Sequence, residues 1–199
     1  MLVLIRHGET DANAARLLLG RAQSPLTERG VAQAKALSRL LGPVARVVSS
    51  PLARALDSAA ALGLDVPVEI DDRWVEVDYG EYDGQPLGSV PAEIWRQWRA
   101  DPGFRPAGGE SLAEMGGRVR QACDELFAAD GAGARGPADV VVVSHVSPIK
   151  AAVAWALGTS DAVAWRLYLS TASMTVIGWG SDAPVLHAYN LTADAPDGR

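Results

Sequence analysis

Two histidines and two arginines occupy positions from which they could act on one ligand. Arg6 and His7 leave the end of the first predicted strand, and Arg54 lies one turn into the helix after the second. His145 follows Ser144 at the end of a run of valines. In an open α/β sheet, ligands bind outside the carboxyl ends of the strands, so these segments can meet in one crevice. In a chain of formal net charge −6, such a local cationic cluster would attract a phosphate-like anion.

The elements that must position these residues alternate between short β-rich runs and longer helical patterns. This alternation predicts an α/β fold, a three-layer sandwich with a mainly parallel central sheet and helices on both faces. The unbroken β-branched run at 139–143 is typical of a central strand buried on both faces. The other predicted strands cover 2–5, 44–48, 173–179 and 184–189, the last two joined by 180–183 at a sheet edge. The predicted helices cover 27–41, 51–62, 91–99, 111–129 and 147–157, with a loop at 130–137.

Details within the pattern give more specific expectations. The predicted buried face of the helix at 27–41 consists of Val31, Ala34, Leu37, Leu40 and Leu41, which recur at helical spacing. The sequence Ser-Ser-Pro at 49–51 predicts a serine cap with proline at the first helical position. We expect one domain over 1–199, with a lid or insertion at about 71–109 whose Trp95, Trp98 and Phe104 serve mainly in packing.

Composition excludes several classes of protein. The single cysteine, Cys123, rules out an intrachain disulfide framework and a cysteine-rich zinc site, and its apolar surroundings predict burial. The apolar run at 1–5 is too short for a secretory signal, and no apolar run approaches the roughly 20 residues that span a bilayer. We therefore expect a soluble cytoplasmic protein that binds neither nucleic acid nor membrane, since it has no global basic field. The sequence is compatible with a homodimer.

An ordered set of motifs runs through nearly the whole chain. It comprises Leu4-Ile5-Arg6-His7-Gly8-Glu9-Thr10, Asn13, Gly20, Ser24-Pro25-Leu26-Thr27-Glu28-Arg29-Gly30, Ser49-Ser50-Pro51-Leu52-Ala53-Arg54-Ala55, Glu76, Tyr79-Gly80, Asp83-Gly84, Gly108-Gly109-Glu110-Ser111 and Val143-Ser144-His145. In this set the sequence resembles the histidine phosphatase superfamily, which includes cofactor-dependent phosphoglycerate mutases and many phosphomonoesterases. The resemblance implies the phosphoglycerate mutase-like form of the α/β sandwich.

The resemblance also implies a role for each site residue. His7 would attack phosphorus and become phosphohistidine, while Arg6, Arg54 and His145 would stabilise the equatorial oxygens. The family position matched by Glu76 provides the general acid; spacing alone does not select it among the five acids between Asp72 and Asp83. Further predicted contacts to the substrate come from Thr10, Asn13, Gly20 and the backbone N–H of Val146. Gly8 is expected to let the backbone approach the ligand.

The residues near the catalytic glutamate bear on the reaction. Family mutases typically carry Arg-His-Tyr-Gly directly after it, whereas this chain has Val77-Asp78-Tyr79-Gly80. The missing basic residues favour a phosphomonoesterase that acts on a small phosphorylated metabolite. A phosphoglycerate mutase and a catalytically silent phospho-ligand binder are the alternatives. We expect no cofactor and no metal, because Arg6 and Arg54 would repel a cation bound by His7 and His145.

Overall fold

The computed structural model describes residues 1–131, 138–180 and 183–193. Within these ranges the chain forms a six-stranded sheet of order β3-β2-β4-β1-β5-β6. The strands are β1 (Leu2–Arg6), β2 (Val44–Ser49), β3 (Val68–Ile70), β4 (Asp139–Ser144), β5 (Met174–Trp179) and β6 (Pro184–Leu191). The helices are α1 (Asp11–Ala14), α2 (Glu28–Leu37), α3 (Ala53–Ala61), α4 (Ala92–Ala100), α5 (Leu112–Gly131) and α6 (Val146–Ala156).

Strand pairing confirms the predicted α/β class. The strands β1, β2, β3 and β4 pair in parallel, and β5 and β6 add an antiparallel extension at one edge. Every residue of β4 is buried, as expected of a central strand. The register matters for function, because Arg6 pairs with Ser144 and Ser49 pairs with Val143. The segments that follow β1, β2 and β4 therefore begin side by side at one edge of the sheet.

Alternating residues of the strands supply two cores, one on each face of the sheet. Leu2 and Leu4 belong to a cluster with Met115 of α5 and Ile149 of α6. The intervening strand residues belong to a second cluster, with contributions from α2 and α3; it includes Val3, Ile5, Leu37, Ala55, Ala59, Val141 and Val143. Since side chains alternate across a strand, this division places helices on both faces, as the three-layer prediction requires.

Two local predictions about helices are wrong in detail. On α2 the buried face is formed by Gly30, Ala34 and Leu37, while Val31 is 45% exposed, as is Leu40 in the 3₁₀ turn Ser38–Leu40 that follows α2. The buried face is rotated because Gly30 packs against the backbone of Glu9. A hydrophobic pattern cannot reveal this contact, because glycine has no side chain. The helix α3 begins at Ala53, after an N-cap at Leu52 without a side-chain cap, so the Ser-Ser-Pro segment precedes it.

Other segments complete the comparison with the sequence. Neither β3 nor the short helix α1 was predicted. The loop predicted at 130–137 is shorter, since α5 continues to Gly131, and its part at 132–137 lies outside the described residues, as do 181 and 182. The segment 71–109 holds three 3₁₀ turns and α4, and its action as a lid stays a prediction.

Cys123 is buried as expected, and burial raises the pKa of its thiol. None of the helices described here is both long and apolar enough to cross a bilayer.

Candidate active site

The loop that carries His7 is held by backbone hydrogen bonds at the end of β1. The His7 N–H donates to the carbonyl of Ser144 and the His7 carbonyl accepts from the N–H of Ala172, both at 3.0 Å. The next N–H, that of Gly8, donates to Ser58 Oγ at 3.0 Å. A Cβ at Gly8 would meet the Gly30 carbonyl at 2.2 Å. The approach of α2 therefore requires glycine here, and the predicted approach of a ligand to Gly8 stays a prediction.

The His7 ring is held in one tautomer. Its Nδ1 lies 2.7 Å from the carbonyl oxygen of Gly8, and because a carbonyl can only accept, Nδ1 carries the proton. Burial, followed by the charges of Arg6 and Arg54, lowers the pKa of His7 well below its usual value. A neutral ring with a proton on Nδ1 has its lone pair on Nε2. The site thus presents an unprotonated imidazole nitrogen, which is what a nucleophile requires.

The His145 ring is fixed in the opposite tautomer. Arg54 Nε donates to His145 Nδ1 at 3.2 Å, and His145 Nε2 lies 2.7 Å from Ser50 Oγ. Since Nδ1 accepts, the neutral ring carries its proton on Nε2 and donates it to Ser50. Burial, together with the charges of His7 and Arg54, lowers the pKa of His145 well below its usual value. The ring centroids of His7 and His145 are 5.1 Å apart.

The Arg54 guanidinium connects His145 to the loop after α1. Besides the bond to His145, Nη1 donates to the Ala22 carbonyl at 2.9 Å and Nη2 donates to the Gly20 carbonyl. Arg54 is 1% exposed, and this burial lowers its pKa. Of the five N–H groups of this guanidinium, the described residues engage three, which leaves two for a ligand. Gly20 reaches the site through its carbonyl, because its N–H donates to Asp83 at 2.7 Å.

Arg6 contains an orphaned donor beside His7. Its Nη1 donates to the Leu169 carbonyl at 2.7 Å, whereas Nε is buried and, within the described part of the chain, has no hydrogen-bond partner. A buried donor that lacks an acceptor costs about 1–3 kcal/mol. Native structures rarely retain such a donor without a reason, and an anionic ligand between Arg6 and Arg54 would supply the acceptor.

Glu76 is held at the first turn of α6. Its Oε1 accepts from the N–H of Val77 at 2.8 Å and from the N–H of Ser147 at 3.2 Å. Since Ser147 follows His145 by two residues, these bonds hold the carboxyl group near His145. Glu76 is 3% exposed. The α6 N-terminus also carries Val146, whose N–H belongs to the first-turn amides that have no carbonyl within the helix. These amides favour negative charge at this point.

Thr10 and Asn13 hold each other at the start of α1. Asn13 N–H donates to Thr10 Oγ1, while Asn13 Oδ1 accepts from the Thr10 N–H at 3.2 Å and from the Thr10 hydroxyl at 3.0 Å. Both donors of Thr10 are therefore engaged within this capping box. Asn13 is the better candidate to contact a substrate, because its Nδ2 takes no part in the box.

Sequence reasoning missed three buried serines that support the site. Ser50 Oγ accepts from His145, Ser58 Oγ connects Gly8 N–H to the carbonyl of Arg54, and Ser144 Oγ donates to the Trp74 carbonyl. Ser50 was interpreted only as a helix cap. The signal that could have revealed Ser50 was a small polar residue directly after a strand whose end must be buried.

Over the part of the chain described here, no three His, Cys, Asp or Glu side chains are grouped as a metal site would require.

The chain belongs to branch 1 of the histidine phosphatase superfamily, whose family model matches residues 2–192. This membership confirms the resemblance that the sequence motifs indicated. The fold and the pair of histidines at the strand ends agree with it.

Three relatives illustrate the match. A protein of Mycobacterium tuberculosis named as bifunctional is 38% identical over 189 residues, which are 91% of this chain and 50% of the relative. The chain thus spans about half the length of that relative. Phosphoserine phosphatase 1 of Hydrogenobacter thermophilus is 33% identical, with 96% and 92% of the two chains covered. The structure of a mycobacterial glucosyl-3-phosphoglycerate phosphatase complexed with VO₃ is 32% identical with a TM-score of 0.82, covering 95% of this chain and 98% of the other.

Proposed function

We propose that this protein is a metal-independent phosphomonoesterase that hydrolyses a small phosphorylated metabolite through a phosphohistidine on His7. One observation carries the proposal. The Gly8 carbonyl holds the proton of His7 on Nδ1 and leaves the lone pair on Nε2, beside the buried Nε of Arg6, which has no partner among the described residues. A nucleophilic nitrogen next to orphaned cationic donors suits an incoming phosphoryl group.

In the first step, His7 Nε2 attacks phosphorus in line. The N–P bond forms as the ester P–O bond breaks, and the electron pair of that bond stays on the leaving oxygen. Glu76 gives its proton to this oxygen, and the alcohol departs. Phosphoryl transfer depends mainly on positioning and charge stabilisation. Arg6 Nε and the two free N–H groups of Arg54 supply that stabilisation, and loss of one such donor costs on the order of 10²–10³ in rate.

In the second step, water attacks the phosphorus of phosphohistidine. Glu76, now a carboxylate, takes a proton from this water, the N–P bond breaks, and its electron pair returns to His7 Nε2. Inorganic phosphate leaves, and both residues regain their starting protonation states. The amides of Val77 and Ser147 hold the Glu76 carboxyl group in one place for both steps.

The surroundings of Glu76 favour hydrolysis over mutase chemistry. A mutase must retain the released monophosphate, which calls for additional cations near the acid. Val77 is 1% exposed and apolar, and Asp78 pairs with Arg21 at 3.6 Å, which neutralises that cation. Relatives named as phosphatases of phosphoserine and glucosyl-3-phosphoglycerate support the same choice.

The test is to incubate the protein with a panel of phosphomonoesters in the presence of a chelator and to look for acid-labile phosphate on the protein. We expect hydrolysis and labelling of wild type, no labelling of His7→Ala, and normal labelling of the exposed-site control His187→Ala. Labelling of His7→Ala would show that another residue is the nucleophile. Complete loss of activity in chelator would contradict the metal-independent reaction.

Two further results would favour the alternatives. Rapid exchange between 2- and 3-phosphoglycerate in the presence of bisphosphoglycerate would indicate a mutase. Binding of phosphate without hydrolysis of any ester would indicate a silent phospho-ligand binder.

A further inference from the structure

A cavity of about 290 Å³ adjoins the catalytic residues, and its lining is largely apolar. Val146 and Ser147, which directly follow His145, form part of it. Trp95 and Trp98 of α4 contribute further lining, and Trp165 of the 3₁₀ segment Asp161–Arg166 adds a third indole. One side of the cavity is therefore formed by the start of α6, beside the proposed site, and the three indoles come from elements outside that site. Its volume lies close to the lower end of ligand pockets, about 300 Å³, which suits a single small group.

The aromatic walls of the cavity support one another. Trp98 is 3% exposed, and its ring centroid lies 5.3 Å from that of Trp95 and 5.7 Å from that of Tyr79. Trp165 meets Trp95 edge-on at 6.1 Å, and the Arg99 guanidinium lies 5.8 Å from the Trp165 ring. The Tyr79–Trp98 and Trp95–Trp165 pairs are edge-to-face, which is a favourable arrangement for aromatic rings, and the Trp95–Trp98 pair is tilted. The walls are consequently ordered before any ligand enters.

The cavity also contains a cation. Lys150 lies one turn beyond Val146 on α6, is partly buried, and lines the cavity together with the indoles. Burial lowers the pKa of its amine. Within the described ranges, no hydrogen bond or ion pair satisfies this ammonium group. The protein has only one other lysine, Lys35, which is exposed on α2.

Building on the proposed phosphomonoesterase function, we propose that this cavity binds the leaving group, and that the preferred substrates are phosphomonoesters whose alcohol carries an apolar ring and a carboxylate that pairs with Lys150. Aromatic side chains offer a ring both apolar contact and stacking. A charged group that pairs with an unpartnered ammonium in an apolar site makes a strong, charge-assisted hydrogen bond. Polyhydroxylated leaving groups such as sugars fit less well, because this lining offers their hydroxyls few partners.

The first experiment compares three alkyl phosphates whose alcohols have similar leaving ability: propyl, 2-phenylethyl and 2-(4-carboxyphenyl)ethyl phosphate. We expect kcat/KM to rise about 10-fold from the first to the second, and about 10-fold again to the third. Kd values for the corresponding non-hydrolysable phosphonates should follow the same order. Equal values for the propyl and phenylethyl compounds in both measurements would overturn the ring preference.

Variants separate the two parts of the proposal. Lys150→Met should abolish the advantage of the carboxylate and keep the ring preference, whereas Lys35→Met should keep both. Trp165→Ala should reduce the ring preference several-fold, and Trp165→Phe, which retains an aromatic ring, should restore most of it. A carboxylate advantage that survives in Lys150→Met would overturn the role of Lys150.

The phosphonates keep this inference distinguishable from the proposed function. Absence of hydrolysis of all three esters, with the phosphonates binding in the expected order, would contradict the phosphatase proposal and support the cavity. Hydrolysis of all three esters at equal rates, with equal binding of the three phosphonates, would support the phosphatase proposal and contradict the binding of the leaving group in the cavity.

Discussion

Arg54 Nε donates to His145 Nδ1 at 3.2 Å, and this bond determines the state of the second histidine. A guanidinium has no acceptor and stays protonated, so His145 must offer a lone pair at Nδ1. Its remaining proton lies on Nε2 and is donated to Ser50. The family resemblance implies that His145 donates to a phosphate oxygen. Because Nε2 faces Ser50, the donor would be Nδ1, which must then gain a proton and lose its hydrogen bond from Arg54 Nε. Ser50 is the group that can adapt, since a hydroxyl both donates and accepts.

Removal of the Ser50 hydroxyl should destabilise the folded protein. In Ser50→Ala the buried Nε2–H of His145 has no acceptor, and such an unsatisfied group costs about 1–3 kcal/mol in the free energy of unfolding. Urea denaturation measures this loss. The control is Ser89→Ala, at an exposed residue whose hydroxyl donates to the nearby Pro86 carbonyl. Equal stabilities of the two variants would show that Ser50 does not hold the ring.

The two buried histidines should make the protein less stable in mild acid. Burial lowers the pKa of His7 and of His145, so below about pH 6.5 the unfolded chain binds protons that the folded chain does not. Above this pH both histidines are neutral in the folded and in the unfolded chain, so they do not change the free energy of unfolding. As the pH falls below it, each histidine should remove about 1.4 kcal/mol of stability per pH unit, until the pKa of the folded state is reached.

Urea denaturation between pH 5 and 8 tests this pH dependence. His145→Asn should be less sensitive to pH below 6.5 than wild type, by the contribution of one histidine. His187→Asn, at an exposed residue of β6, should be altered much less. The prediction is wrong if His145→Asn and wild type lose stability equally between pH 6.5 and pH 5.

The sequence predicted five of the six strands, and the meeting of Arg6, His7, Arg54 and His145 in one crevice, because those features rest on strong local signals. A run of β-branched residues identifies β4, and parallel strands align Arg6 with Ser144. It could not predict contacts between backbones distant in the chain. The contact of Gly30 on α2 with the Glu9 backbone is one example, since a glycine does not contribute to a hydrophobic pattern. The use of Ser50 by a histidine 95 positions away is another, because a serine before a proline also suits a helix cap.

The contact of α2 with the His7 loop can be tested at Gly30. A Cβ there would lie 2.0 Å from the Glu9 carbonyl oxygen, so Gly30→Ala must separate α2 from this loop. We expect a loss of about 1–3 kcal/mol in the free energy of unfolding, as for other overpacked sites, and a reduced kcat. In the control Gly117→Ala, on an exposed turn of α5, the Cβ meets no atom of the described residues within 4 Å. That substitution should stabilise the protein by about 0.5–1 kcal/mol. Similar effects of the two would contradict the contact.

The unpartnered donor of Arg6 predicts how the protein responds to phosphate. A ligand at 100 times its Kd stabilises the folded state by about 2.7 kcal/mol. Thermal denaturation of wild type should therefore shift upward as inorganic phosphate is added at constant ionic strength. Arg6→Met should lose most of this shift, and Arg39→Met, at an exposed residue after α2, should keep it. An undiminished shift in Arg6→Met would place the anion elsewhere.

The role of Glu76 as general acid predicts a dependence on the leaving group. An alkoxide needs a proton to depart, whereas p-nitrophenolate leaves readily without one. In Glu76→Gln the amide oxygen can still accept from Val77 and Ser147, so the geometry is retained while the proton is lost. We expect kcat for an alkyl phosphate to fall by about 10²–10⁴, and kcat for p-nitrophenyl phosphate to fall far less.

Steady-state kinetics with both esters and with the control Glu81→Gln measures this difference. Glu81 is an exposed carboxylate in the same segment of the chain, so its substitution changes the charge equally without reaching the site. It should leave both rates near those of wild type. Equal losses with the two esters in Glu76→Gln would mean that Glu76 acts in binding and does not transfer the proton. An unchanged rate with the alkyl ester would mean that another group supplies that proton, and the hydrogen bond from Ser147 N–H to Glu76 would then serve only the structure.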